Sequence, residues 1–141
     1  MERMPLFAYL HPAWHFLTLI LGVYLSADGL RNIENPNFSV RKHKRVARIF
    51  LIMVLAGAVF GKVIEASLPL GTLRMPGSVL LSVLVTVLAI VGAVFGFQGE
   101  RKRLRVRTGM MRLHPWFFVA ITALVFAQTL LGLRALHIIR F

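Results

Sequence analysis

Ligating chemistry in this chain rests on five histidines: His11, His15, His43, His114 and His137. Cysteine is absent, which rules out disulfides, thiolate-held iron–sulfur clusters and thiol catalysis but leaves the compartment open. The acidic residues Glu2, Asp28, Glu34, Glu65 and Glu100 each fall near a helix end, in a loop or at a terminus, and make no hydrolytic constellation. His11 and His15 stand at i, i+4, but the Glu of the zinc motif H-E-x-x-H is missing between them. Imidazoles on facing helices can instead take both axial positions of a haem held in a bundle core. A plainer role stands beside this one. His-Pro ahead of an apolar run is an ordinary helix start, and interfacial histidines often contact only water or lipid headgroups. His43, within Arg41-Lys42-His43-Lys44-Arg45, is expected at headgroup level.

The elements that must position these histidines are long and apolar. Leu10-His11-Pro12 opens a run that closes on Gly29-Leu30-Arg31, and Leu113-His114-Pro115 opens one that closes on Gly132-Leu133-Arg134. Each run has about the 20 residues that cross the hydrocarbon core of a bilayer. The chain is 57% hydrophobic with a mean hydropathy of +0.74, too apolar for a soluble domain to cover itself with polar surface. We expect an all-α, integral membrane four-helix bundle in a single domain over 1–141, with spans at about 12–30, 46–66, 78–97 and 115–136. Proline suits the first helical position, where its missing N–H has no partner to lose, so His11 and His114 are expected at helix caps. The weak n-region of Glu2 and Arg3, with no small-residue cleavage pattern, argues against a cleaved signal peptide.

Charge sets the expected orientation. The net +12 is concentrated in two short stretches. One carries Arg31, Arg41, Lys42, Lys44, Arg45 and Arg48; the other carries Arg101, Lys102, Arg103, Arg105, Arg107 and Arg112. The opposite side has only Arg3, Lys62, Arg74, Arg134 and Arg140. Basic clusters beside spans act as orientation signals and headgroup contacts, so the charge does not imply nucleic acid. Both basic loops are expected in the cytoplasm and both termini outside, in an inner (plasma) membrane. The sequon at Asn37-Phe38-Ser39 then falls on the cytosolic side and is discarded. His11, His15 and His137 belong to the outer side, His43 and His114 to the inner one. Arg45 and Arg112 are the inner residues placed to neutralise haem propionates.

Gly-Ala-Val-Phe-Gly occurs twice, at 57–61 and 92–96. Each is a G-x-x-x-G that lets helix backbones approach in lipid. Spans two and three can pack through these faces, although the two motifs lie at different depths and need not meet. Lys62 and Glu65, at i, i+3, are read as a snorkelling pair in preference to a proton relay.

Leu-His-Pro opening span one, Lys42-His43 before span two and Leu113-His114 opening span four resemble a four-span membrane family catalogued as domain of unknown function 4079, itself similar to the cytochrome b561 class. The resemblance covers nearly the whole chain through short motifs. It implies a b-type haem bundle that passes electrons across or along the membrane, often to or from quinone. By position, His11, His43 and His114 match the histidines of the first, second and fourth spans. Span three departs from the pattern: the family has a histidine near its start, where this chain reads Pro76-Gly77-Ser78-Val79-Leu80. The outer haem thereby lacks one ligand unless His15 or His137 replaces it.

Two functions follow. One is a small b-type cytochrome-like electron carrier binding haem b, with His43 and His114 as the axial ligands of its iron and His11, His15 and His137 as a weaker outer set. The other is a haem-free structural or accessory subunit of a larger respiratory or photosynthetic membrane complex, or a variant binding pigment through one histidine. The carrier is the leading expectation; the missing histidine and the polarity around His43 favour the second, which the smooth apolar third span also suits. Expected partners are the bilayer, other membrane subunits and, for the carrier, quinone. A transporter ranks last, lacking a broken helix or a mid-membrane charge.

Overall fold

The computed structural model describes residues 6–31, 39–67, 78–101 and 109–135; at 6–8, 65, 78, 97–101, 109–112 and 135 it describes the backbone alone. Every described segment is helical: α1 (Leu6–Arg31), α2 (Val40–Ser67), α3 (Ser78–Arg101) and α4 (Gly109–Ala135). All four are long and apolar enough to cross a membrane. At 1.5 Å per residue, even the shortest is about 36 Å long, more than the hydrocarbon core requires.

The helices start earlier than the proline rule predicts. Pro12 lies inside α1 and Pro115 inside α4. His11 and His114 are therefore helical residues rather than caps. An exposed backbone group in hydrocarbon costs several kcal/mol, so each helix continues N-terminally through its proline, leaving the carbonyl four residues back without its usual donor. Helix α2 likewise begins at Val40, ahead of the expected 46, and takes the basic run 41–45 into its first turns. His43 thus stands on a helix, its N–H bonded to the Ser39 carbonyl at 3.1 Å.

Helix α1 packs on α2 and α4, and α3 packs on α2 and α4, so α1/α3 and α2/α4 are the diagonals of the bundle. Directions alternate. Late α2 (Gly61) meets early α1 (His11), late α3 (Gly96) meets early α4 (His114), and late α1 (Gly29) meets early α4 (Pro115). The core combines all four helices: Leu25, Phe50, Val54, Val85, Ala89, Phe118, Ile121 and Val125. Large apolar side chains on all four helices point outward, including Ile20, Ile52, Val87 and Phe126.

Between lipid-solvated helices, packing and hydrogen bonds hold the interfaces, since the tails are as apolar as the side chains. Among the described residues, interhelical hydrogen bonds contribute, four of which follow. Trp14 Nε1 donates to the Met53 carbonyl at 2.8 Å, and Ser26 Oγ lies 3.3 Å from Thr122 Oγ1. Gln128 Nε2 donates to Ser82 Oγ at 3.1 Å. The fourth joins His43 to Asp28.

The glycine motifs face different neighbours from those expected. Gly57 lies against Trp14 and His15 of α1, and Gly61 against His11. Gly92 lies against Phe117 of α4, and Gly96 against His114. Each G-x-x-x-G is thus a notch for aromatic rings of an adjoining helix, and α2 and α3 do not meet through these faces.

Candidate histidine sites at the two bundle ends

One end carries His43 and His114 on the diagonal helices α2 and α4. Their ring centroids are 6.3 Å apart with planes at 69°. Asp28, in the last turn of α1, accepts or shares a proton with His43 Nδ1 at 3.0 Å across the α1–α2 seam. The His43 side chain is 12% exposed, so it is a part-buried interhelical group. A carboxylate on Nδ1 fixes the imidazole, the usual outer-shell arrangement of a metal-binding histidine.

His114 faces His43 from inside the first turns of α4. Its Cε1 would lie 3.0 Å from a Cβ on Gly96, so any larger residue there would push the ring aside by a few tenths of an ångström. His114 Nδ1 is buried without a hydrogen-bond partner. Phe118, one turn along α4, stands edge-on to both imidazoles, at 5.1 Å from His114 and 6.4 Å from His43. Phe50 packs behind it at 5.8 Å. Two imidazoles from diagonal helices, one with a carboxylate on its Nδ1 and one with an orphaned Nδ1, are the residues that would hold a haem iron were one bound. The aromatic rings around them already fill the centre of the bundle at that level. Arg45 is exposed, and the side chain of Arg112 is outside the described residues.

The other end is built differently. His11 and His15 share α1 and face each other, Nε2 to Nε2 at 3.1 Å, with centroids 4.3 Å apart and planes at 87°. A Cβ on Gly61 would lie 2.7 Å from His11 Cε1, and one on Gly57 3.6 Å from His15 Cε1. His11 Nδ1 is buried without a partner. The diagonal helix α3 offers Ser82, to which Gln128 donates. Between them lies a cavity of about 10 Å³, room for one water molecule, lined by His15, Thr18, Ser82 and Gln128 among apolar residues. His137, the Glu65 side chain and the connections at 68–77 and 102–108 lie outside the described residues. Among those described, no group of three or more His, Asp or Glu converges on one point.

Three partners escape a reading by sequence. Asp28 counts there only as an acid near a helix end, and its role depends on the first connection folding α1 back onto α2. Gln128 and Ser82 are isolated polar residues in apolar helices, and that isolation is the one signal they give. No family model, curated protein or solved structure matches the chain.

Proposed function

We propose that this membrane bundle serves as a haem-free accessory subunit, docked through the outer face of α3 to another membrane-embedded protein. One observation carries the reading. Val79, Val83, Val87, Ile90 and Val94 form a helical stripe down α3, each about half exposed. β-Branched side chains on a helix are held in essentially one χ1 rotamer, so a neighbouring helix can pack on them with little loss of side-chain entropy. The Phe118 and Phe50 rings packed at the level of His43 and His114 support the same reading, because they fill space that a flat cofactor would need. The charge count supports an inner-membrane setting with both basic stretches in the cytoplasm and the termini outside.

The test is native electrophoresis from mild detergent, with a reduced-minus-oxidised spectrum of the purified chain. Comigration with a larger assembly, lost in Val83→Trp/Val87→Trp, and no b-type signal are expected. A chain that migrates alone refutes the docking role.

A second reading has its own observation, the Asp28–His43 pair facing the orphaned Nδ1 of His114. Were haem b bound, His43 and His114 would hold its iron, Asp28 would orient His43, and the group would supply one-electron chemistry with quinone as a fitting partner. The resemblance to the domain of unknown function 4079 family favours this alternative. A b-type spectrum at one haem per chain, lost in His114→Ala, would establish it in place of the accessory role.

A further inference from the structure

The geometry points to a second, separate site: His11 and His15 form a two-imidazole chelate for a divalent transition metal, Zn²⁺ or Cu²⁺, at the end of the bundle where α1 begins. Metal–imidazole bonds of about 2.0–2.1 Å, meeting at 90–110°, place the two ligand nitrogens about 2.9–3.4 Å apart. The observed Nε2–Nε2 separation of 3.1 Å falls inside that bite. Ligands one turn apart on a helix share a face; the His11 ring is wedged against Gly61 of α2 and His15 is 7% exposed, so little side-chain freedom remains to be lost on binding. Imidazole selects among divalent cations for copper, zinc and nickel over magnesium and calcium.

The remaining coordination positions fall to water, since no third His, Asp or Glu among the described residues joins the pair. The cavity beside His15 has the room and polar lining for such a water, with Thr18, Ser82 and Gln128 on its wall. This site is independent of the His43–His114 pair and of the accessory role. It makes the chain a metal-binding protein under either functional reading.

The experiment is calorimetric titration of tag-free protein in detergent with Zn²⁺, and separately with Cu²⁺. One ion per chain is expected. The dissociation constant should rise at least tenfold in His11→Asn and in His15→Asn, and stay unchanged in Ser26→Ala, at the other end of the same helix. Absence of saturable binding, or binding that both histidine variants retain, overturns the site. Should neither variant fold, the wild-type chain still decides the matter. Zn²⁺ should shift the imidazole NMR resonances of His11 and His15 in the wild-type chain, and resonances that do not change with zinc overturn it.

Discussion

Gly22→Ala isolates the packing that holds α1 against its neighbours. A Cβ there would lie 2.6 Å from Thr122 Oγ1, 3.3 Å from Thr122 Cγ2 and 3.0 Å from Phe50 Cε2. None of these atoms can retreat easily. Phe50 is 1% exposed, and Thr122 Oγ1 donates to the Phe118 carbonyl at 2.7 Å while touching Ser26 Oγ. Overpacking of this kind costs about 1–3 kcal/mol, and loss of an interhelical hydroxyl bond adds about 0.6 kcal/mol. Alanine recovers about 1 kcal/mol through helix propensity, leaving a net loss of about 1–2 kcal/mol. Gly132→Ala is the control, since a Cβ there meets nothing within 4 Å, and it should be neutral or stabilising by up to about 1 kcal/mol. Steric trapping in bicelles measures both. The double variant Gly22→Ala/Thr122→Ala should recover at least about 1 kcal/mol as coupling, because truncating Thr122 clears the space. Equal stability of Gly22→Ala and Gly132→Ala, or no coupling with Thr122, would refute this account of the α1–α4 contact.

Other substitutions test the remaining seams. Trp14→Phe removes the donor to the Met53 carbonyl and should lower stability by about 0.5–1.5 kcal/mol in the same trapping assay, with loss of the more sheltered of the two tryptophan emission components, since Trp116 is 57% exposed. Asp28→Asn replaces a carboxylate with an amide on His43 Nδ1; charge-assisted bonds are roughly twice as strong as neutral ones, so a loss of about 1 kcal/mol is expected, and an unchanged unfolding curve would contradict the pairing. The cysteine-free chain allows clean topology mapping: Ser39→Cys should react with impermeant maleimide only after the cytoplasmic face is opened, and Ser67→Cys from outside intact cells. The reverse pattern would invert the proposed orientation.

The four long apolar helices were legible in the sequence and their rotation was not. Four apolar runs suffice to foresee four helices long enough to cross a membrane, because hydrocarbon thickness and backbone satisfaction leave few alternatives. The same patterns misjudged the helix starts at Pro12 and Pro115, since the rule for proline at a first turn holds where water can solvate a broken backbone. Which face each helix turns inward was beyond reach, as these spans are apolar nearly all round and carry little amphipathic signal. The glycine motifs showed that close approach occurs, but the identity of the ring in each notch follows from helix rotation, which only the folded bundle supplies. His43 illustrates both limits: its depth near the bundle end was evident, while its burial against Asp28 depended on α2 reaching back to Val40.

The repeated Leu-His-Pro frame yields two unlike ends because the diagonal partners differ. At one end, His114 of α4 meets His43 of α2 across the bundle. At the other, α3 presents Ser82 to the cavity that His15 lines, and the second imidazole comes from α1 itself. Restoring an imidazole on α3 is therefore a direct test of that placement. Ser82→His with Gln128→Ala, the latter freeing room for the ring, puts a third nitrogen beside His15 and His11. Three imidazoles with one open position make a common zinc set, so Zn²⁺ affinity should rise at least tenfold over the wild type while stoichiometry stays at one. An unchanged affinity in a folded variant would mean that Ser82 does not face the histidine pair, and the cavity as the pair's water site would fall with it.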